Sequence, residues 1–238
     1  MLYILWKQII FLFFLFITFS VSAQREFNRP NHDNVPYYFG LTFGYANMNL
    51  HTEKDPRFLQ YDSVLSVEPN ASGGFSAGLL ATFKMSNRFE FRVAPQLIIG
   101  GVKSFTYSLK YRNGIDSPVT KMPLTSTIFS LPLQIKFNSD RIDNFRVYAL
   151  AGLTYDIDLA SNSNQRNADD VIKLKKFDYA IEGGVGFNIF LKFVTVSPEL
   201  RIHNGFSNIH DRNPDLKFSN VLGSLKSQMV IFTINIEP

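Results

Sequence analysis

Residues 145–157 read Phe-Arg-Val-Tyr-Ala-Leu-Ala-Gly-Leu-Thr-Tyr-Asp-Ile. The odd positions carry only apolar or aromatic side chains, whereas the charged side chains, Arg146 and Asp156, fall at even positions. Because successive side chains of a strand point to opposite faces, this stretch predicts a β-strand with one uncharged face and one charged face.

The same alternation recurs along the chain and predicts eight strands in all. The other seven cover residues 37–45, 75–83, 89–99, 129–137, 177–189, 194–202 and 228–236. Long polar segments and short turns alternate between them, which is typical of an antiparallel sheet. Three prolines, Pro95, Pro132 and Pro198, fall inside predicted strands, where each removes a ladder hydrogen bond. We expect local bulges at Pro95 and Pro198.

The chain begins with the three-part layout of a secretory signal peptide. Lys7 precedes an uncharged apolar run at residues 9–19, and Val21 and Ala23 are small residues placed for cleavage between Ala23 and Gln24. An uncleaved anchor helix is the alternative, but such a helix needs about 20 apolar residues. We therefore expect a signal peptide over residues 1–23, a flexible periplasmic leader over 24–36 and one β-domain over 37–238.

Composition excludes several classes of protein. The 238-residue chain has no Cys, so neither a disulfide framework nor thiol chemistry is available. Its net charge of +4 is too small to indicate nucleic-acid binding. With no disulfides in an exported protein, stability must come from a closed fold or from a bilayer.

The distribution of charge over the strands indicates an outer-membrane barrel. A sheet in lipid must close, because open edges leave backbone groups unpaired. Charge on a lipid-facing position costs about 2–4 kcal/mol at the midplane. In the predicted strands the charges share one face, and we expect them to form an ion-pair network in the lumen: Glu90, Arg92, Lys136, Arg146, Asp156, Asp178, Glu182, Glu199 and Arg201.

The predicted fold is an all-β, eight-stranded antiparallel transmembrane barrel of the size of OmpA or OmpX. At eight strands the interior is just wide enough for side chains to fill it, so we expect a closed, polar lumen and no pore. Aromatic residues near the periplasmic strand ends predict a girdle: Tyr37, Phe39, Phe83, Phe89, Phe137, Phe145, Phe187 and Phe193.

Several residues could carry chemistry, although a structural explanation is favoured for each: lumen ion pairs for the carboxylates and a solvated position at the barrel rim for His203. The carboxylate pairs Asp156/Asp158 and Asp178/Glu182 could serve acid–base catalysis. His203 with Ser197 or Ser227 could form a nucleophile–base pair, as in a lumen-active lipid enzyme. His203, His210 and Asp211 could bind a metal, but their spacing matches no ligand pattern. The glycines at 183, 184 and 186 form no phosphate loop, since neither a Lys nor a helix follows. We therefore expect no catalytic, metal or cofactor site.

The basic run of Lys173, Lys175 and Lys176 lies in a predicted outer loop. It could contact a partner protein or lipopolysaccharide, while a solvated loop end is the plainer explanation.

Several segments resemble the PorT (or SprT) family, outer-membrane barrels of the type IX secretion and gliding-motility machinery of Bacteroidota. The segment at 170–179 (Asp-Val-Ile-Lys-Leu-Lys-Lys-Phe-Asp-Tyr) is the most distinctive, and it is followed by Gly184-Val185-Gly186. Further similar segments are Tyr38–Tyr45, Tyr61–Val64, Phe129–Leu133, Tyr155–Ser161 and Ser224–Ser227.

The resemblance implies a non-enzymatic barrel, in contact with outer-membrane lipid and other secretion proteins, that is needed for the export of cargo with C-terminal sorting domains. It implies no catalytic residue, nucleic acid or small-molecule substrate. Two alternatives are a generic structural or adhesive outer-membrane barrel and a soluble secreted barrel.

Overall fold

The computed structural model of the protein describes residues 27–56, 64–109, 119–160, 173–211 and 217–238. The predicted signal peptide and its cleavage site between Ala23 and Gln24 lie outside these ranges. The strands are β1 (Tyr37–Lys54), β2 (Val64–Asn70), β3 (Ser72–Lys84), β4 (Phe89–Val93), β5 (Gln96–Leu109), β6 (Val119–Asn138), β7 (Phe145–Asp158), β8 (Lys173–Leu174), β9 (Phe177–Phe190), β10 (Thr195–Gly205), β11 (His210–Asp211) and β12 (Leu222–Glu237). A 3-10 turn covers His32–Asn34, and a short helix, α1, covers Lys217–Asn220.

The main sheet closes on itself. Antiparallel pairing runs from β1 through β12, β10, β9, β7 and β6 to β4 and β5, then to β3, which pairs with β1. β4 and β5 keep one register against β3, so together they form a single strand of the ring. The ring therefore has eight strands, as the alternation predicts. Closure leaves it no unpaired edge.

The strand prolines interrupt hydrogen bonding without changing the register. Pro95 and Pro132 lie on facing strands, where the Ala94 nitrogen donates to the Pro132 carbonyl over 3.2 Å. The registers on either side of Pro95 and of Pro198 are unchanged, so the bulges expected there are absent. The register of β5 against β6 shifts instead between Ile98 and Gly101. Gly100 has φ 95° there, a backbone conformation that favours glycine.

Several strands are longer than a bilayer crossing requires. β1 has 18 residues and β6 has 20, against the roughly 9–11 that span the hydrocarbon region. The long connections leave from the end of the ring that these strand extensions form, and the short turns lie at the opposite end. In outer-membrane barrels the short turns face the periplasm. The strand extensions accordingly project outside the cell.

The part of the protein that projects beyond the membrane, which we call the outer cap, contains its own apolar core. β8 and β11 pair beside the main ring, and the core takes its residues from β8, from Ile209 just before β11, from the start of β12 and from β1, β2 and β5. The buried side chains of the cap are Leu50, Val67, Phe105, Tyr107, Leu174, Ile209, Val221, Leu222 and Leu225.

At the periplasmic end, the leader lies across the ends of several strands. The Asn28 backbone nitrogen donates to Asn144 Oδ1 over 2.8 Å, and its side chain donates to the Phe190 carbonyl over 3.0 Å. Arg29 Nη1 donates to Thr195 Oγ1 over 2.6 Å. These contacts hold residues 28 and 29 against the turn before β7, the end of β9 and the start of β10.

The leader also reaches the last strand. Arg29 donates to the carbonyl of Glu237 over 3.3 Å and to Pro238. Arg141, in the turn before β7, donates to the carbonyls of Asn28 and Arg29. The leader and the end of β12 therefore meet at one place on the periplasmic rim.

In the described part of the chain no helix is long and apolar enough to cross a membrane.

Candidate functional site: the barrel lumen

The outward face of the ring is apolar. Phe75 is 74 % exposed, and both Phe39 and Val185 are 59 % exposed. Water would not stabilise such a surface, whereas hydrocarbon would. The residues of the predicted periplasmic girdle are all exposed, with Phe193 in the turn between β9 and β10 and the others on the strands. The ring centroids of Phe89 and Phe137 are 5.1 Å apart. A second aromatic group, Tyr155, Phe177, Tyr179 and Phe206, lies toward the opposite end of the strands.

The nine charged strand residues assigned to the lumen from sequence are buried inside the barrel. Each of the nine is at most 8 % exposed. Burying ions is costly unless each is paired and hydrogen-bonded. The partners of each charge therefore decide what the lumen can do.

The periplasmic half of the lumen holds a set of paired charges around Glu199, which we call the ionic layer. Arg92 Nη1 donates to Glu199 Oε2 over 2.8 Å, and Arg201 Nε lies 3.1 Å from Glu199 Oε1. Arg92 also reaches Glu237 Oε1 at 3.4 Å, and Arg201 reaches Glu182 Oε2 at 3.4 Å. One connected set of charges therefore spans the barrel from β4 to β10 and β12.

Two tyrosines and a lysine complete this layer. The Tyr148 hydroxyl donates to Glu199 over 2.7 Å, and Lys136 Nζ lies 4.1 Å above the Tyr148 ring. Lys136 is also 3.3 Å from Glu90 Oε2, which accepts a hydrogen bond from Tyr38 over 3.0 Å. The aromatic rings fill the space between the ions, so the layer closes the lumen.

Gly186 makes room for Tyr148. A Cβ atom at Gly186 would lie 2.5 Å from both Cζ and Oη of Tyr148, closer than real contacts allow. By contrast, a Cβ atom at Gly183 would have its nearest neighbour, the Leu150 carbonyl oxygen, at 3.9 Å. Among the glycines at 183, 184 and 186, Gly186 is thus the position at which the Tyr148 ring crosses the lumen.

Arg146 pairs with the leader rather than with a lumen acid. Its Nη2 lies 2.9 Å from Asp33 Oδ1, at the periplasmic mouth. His32 is buried beside it, with ring centroids 5.0 Å from Tyr38 and 5.4 Å from Phe190. Burial and the nearby Arg29 charge lower the pKa of His32 to about 4, so its imidazole is neutral at pH 7.

Three buried residues with metal-binding side chains meet in the upper lumen, and we call them the outer triad: Asp156, Asp178 and His203. His203 Nε2 is 3.3 Å from Asp156 Oδ2. Asp178 accepts hydrogen bonds from the hydroxyls of Ser207 and Ser227. The two carboxylate pairs considered from sequence, Asp156/Asp158 and Asp178/Glu182, thus contribute one member each, Asp156 and Asp178, which face each other across β7 and β9. His203 is buried, so the expectation of a solvated rim histidine is wrong.

The remaining candidate residues have other hydrogen-bond partners. Asp158 accepts a hydrogen bond from Ser126 over 2.9 Å, and Ser197 donates to Asn188 Oδ1 over 2.9 Å. His210 lies near the outer cap, 3.0 Å from Ser219 Oγ.

The basic run lies along the outer cap. Lys173 is half-buried opposite Asp211 in the β8–β11 pair, while Lys175 and Lys176 are exposed. Lys175 Nζ donates to the Asn208 carbonyl over 3.0 Å. The two exposed ammonium groups thus present positive charge on the outer side of the membrane.

The sequence analysis does not identify two acidic partners, Glu237 in the lumen and Asp33 in the leader. The position of Glu237, one residue past Ile236 in an alternating strand, was the available signal. No local signal marks Asp33, because its role depends on the leader folding back across the barrel.

Comparisons with known proteins agree with this architecture. A family model described as "Outer membrane protein beta-barrel domain" matches residues 23–211. No curated protein matches the chain.

Solved structures give weak similarities. Neisserial surface protein A has 13% identity and a TM-score of 0.38, with 83% of this chain and 96% of that chain covered. The outer membrane protein OprG from Pseudomonas aeruginosa has 14% identity and a TM-score of 0.44, with 84% of this chain and 92% of OprG covered. Ail, the attachment invasion locus protein of Yersinia pestis, crystallised with the heparin analogue sucrose octasulfate, has 8% identity and a TM-score of 0.38, with 86% and 100% covered.

Proposed function

Because this chain belongs to the outer membrane protein β-barrel domain family and is an integral protein of the outer membrane, we propose that it is a closed, non-enzymatic part of a protein secretion machinery. Integral insertion disposes of the soluble secreted barrel considered from sequence. The proposed machinery is type IX secretion, and the proposed role is to anchor other components that export sorting-domain cargo.

The filled lumen is the observation that carries this role. Arg92, Lys136, Arg201 and Tyr148 cross the interior with their partners, and the leader lies over the periplasmic mouth. A folded or even an extended cargo chain has no path through such an interior. A barrel of this kind serves an export system through its surfaces: the outer cap, the lipid-facing wall and the periplasmic rim.

The choice of type IX secretion is supported by the resemblance to the PorT family. The described part of the most distinctive segment, residues 173–179, forms β8 and the start of β9. It therefore connects the outer cap to the barrel wall.

Gene deletion tests the secretion role. We expect loss of sorting-domain cargo from the culture medium, with cargo retained in the periplasm, and rescue by the wild-type gene. Normal cargo release from the deletion strain would refute the proposal. A Gly183→Ala variant should rescue the strain fully, because a Cβ atom there meets no close neighbour.

The closed lumen has its own test, which is independent of secretion. Purified barrel in a planar lipid bilayer should show no stable ion conductance. Steady single-channel currents from the wild-type protein would contradict the closed-anchor role even if the deletion strain failed to secrete.

A generic adhesive or structural barrel is the second candidate, and the outer cap favours it. The exposed Lys175 and Lys176 give the cap a basic surface outside the membrane. This role predicts normal secretion in the deletion strain together with reduced binding of anionic surfaces. A Lys175→Glu/Lys176→Glu variant should lose that binding, whereas Lys192→Glu, at an exposed periplasmic turn, should retain it.

A further inference from the structure

The outer triad combines an imidazole with two carboxylates in a small volume. One ligand atom from each of Asp156, Asp178 and His203 can be chosen so that all three lie within 4.8 Å of one another. All three residues are buried. They come from β7, β9 and β10, three neighbouring strands of a closed ring. Such strands hold ligand positions more rigidly than loops do.

The triad places two carboxylates opposite each other. Asp156 and Asp178 are direct cross-strand partners, and like charges placed opposite each other are destabilising. A cation between them would remove that repulsion.

A cavity lies beside the triad. Its volume is about 20 Å³, enough for a water molecule or a single ion, and its lining includes Asp156, Asp178 and Ser227. Asp158 and the residues Lys175 and Lys176 line it as well. The cavity therefore joins the carboxylates of the triad to the inner side of the outer cap, where an ion could enter.

We propose that Asp156, Asp178 and His203 bind one divalent transition-metal cation, of which zinc is the best fit. Imidazole favours zinc and its neighbours over magnesium and calcium, while carboxylate oxygens complete a mixed nitrogen–oxygen set. Three protein ligands leave a fourth position toward the cavity for water. The cation would tie β7, β9 and β10 together beneath the outer cap and would add to the stability of the folded protein.

Zinc binding to the full-length barrel, purified in detergent and stripped with a chelator, tests the site. We expect saturable binding of one zinc per chain by isothermal titration calorimetry, and a rise in unfolding temperature on adding zinc. Cobalt in place of zinc should give visible absorption bands typical of a site with a nitrogen ligand. His203→Gln and Asp178→Asn should each lose the binding and the stabilisation.

The exposed His51 provides a matched control. His51→Gln removes a histidine outside the triad, so zinc should bind it as it binds the wild-type protein. Absence of saturable binding to the wild-type barrel, or unchanged binding after His203→Gln, would overturn the proposal. If His203→Gln fails to fold, the cobalt spectrum of the wild-type barrel and the Asp156→Asn variant decide the matter, and a featureless cobalt spectrum counts against the site.

Discussion

Strand β1 keeps its even-numbered side chains inside the barrel in both halves, but its apolar side chains change from the outer face to the inner face halfway along. From Tyr37 to Tyr45 its bulky odd-numbered side chains are exposed on the wall, whereas Ala46, Met48 and Leu50 beyond them are buried inside. The polar residues between these, such as Asn49 and His51, face outward or lie half-exposed. Hydrocarbon surrounds the first half and water surrounds the second, so the hydrophobic pattern changes parity where the strand leaves the bilayer.

The two halves are consequently stabilised in different ways. The membrane-spanning part has a lumen built from ion pairs such as Arg92 with Glu199, which rely on complete pairing. The outer cap has an ordinary apolar core, which relies on packing and the hydrophobic effect. The interior of the same chain is thus polar and charged inside the membrane and apolar outside it.

The largest expected effect comes from breaking the ionic layer. Arg92→Met should lower the free energy of unfolding by about 3–5 kcal/mol, because Glu199 and Glu237 would remain buried without this guanidinium. Urea unfolding of the barrel in lipid vesicles measures it. The control is Arg88→Met at the exposed Arg88–Asp140 pair, where we expect a change of about 0–1 kcal/mol. Equal effects at the two sites would contradict the importance of the ionic layer.

A cavity in the outer cap should have a smaller and more local effect. Leu225 is fully buried, and Leu225→Ala should cost about 2–4 kcal/mol of local stability. Hydrogen exchange should then become faster in β8, β11 and the start of β12, while the membrane-spanning strands remain protected. Leu159→Ala, at a residue 57 % exposed, is the control and should change little. Equal loss of protection throughout the ring would show that the two regions unfold as one.

Crowding the lumen tests the packing of the ionic layer without removing charge. Gly186→Ala should destabilise the barrel by about 1–3 kcal/mol, since the added methyl group displaces the Tyr148 ring from Glu199. Gly183→Ala adds the same group with no close neighbour and should be neutral or slightly stabilising. The shift of the tyrosine absorption band, followed together with urea unfolding, separates the two variants.

The smallest effect concerns pH and the leader. The pKa of His32 is lowered to about 4 by burial and by Arg29, while Asp33 and Glu90 raise it and Lys136 lowers it. The seated leader therefore favours neutral imidazole, so its stability is complete above the ordinary pKa of about 6.5 and falls as the pH drops toward 4. Limited proteolysis of the leader should become faster as the pH is lowered from 7 to 4.5. In His32→Gln, the rate corrected for protease activity should no longer vary with pH.

The membrane-spanning wall could be predicted from sequence because lipid imposes a strict rule on one face. A strand such as 145–157 must keep charge off that face, and its period of two is visible without any neighbour. The extent of the strands was harder to predict. Beyond Tyr45 the apolar residues of β1 occupy even positions instead of odd ones. The pattern of outward-facing apolar residues that identifies the membrane part therefore stops at the membrane boundary.

The partners of the lumen charges depend on which strands face each other across the interior, and local sequence does not contain that information. Arg146 is placed in the lumen by parity, yet its partner Asp33 comes from the leader, which the sequence predicts to be flexible. Asp156 and Asp178 are 22 positions apart, and they meet only because β7 and β9 are paired in one register.

The leader contacts described at the periplasmic rim carry a consequence for biogenesis. Arg29 needs Thr195 and the carbonyl groups of Glu237 and Pro238, which belong to the beginning of β10 and the very last residues of the chain. This clasp can therefore form only after the final strand has arrived beside the first. A protease that cuts the unbound leader would therefore distinguish partly inserted molecules from fully inserted ones.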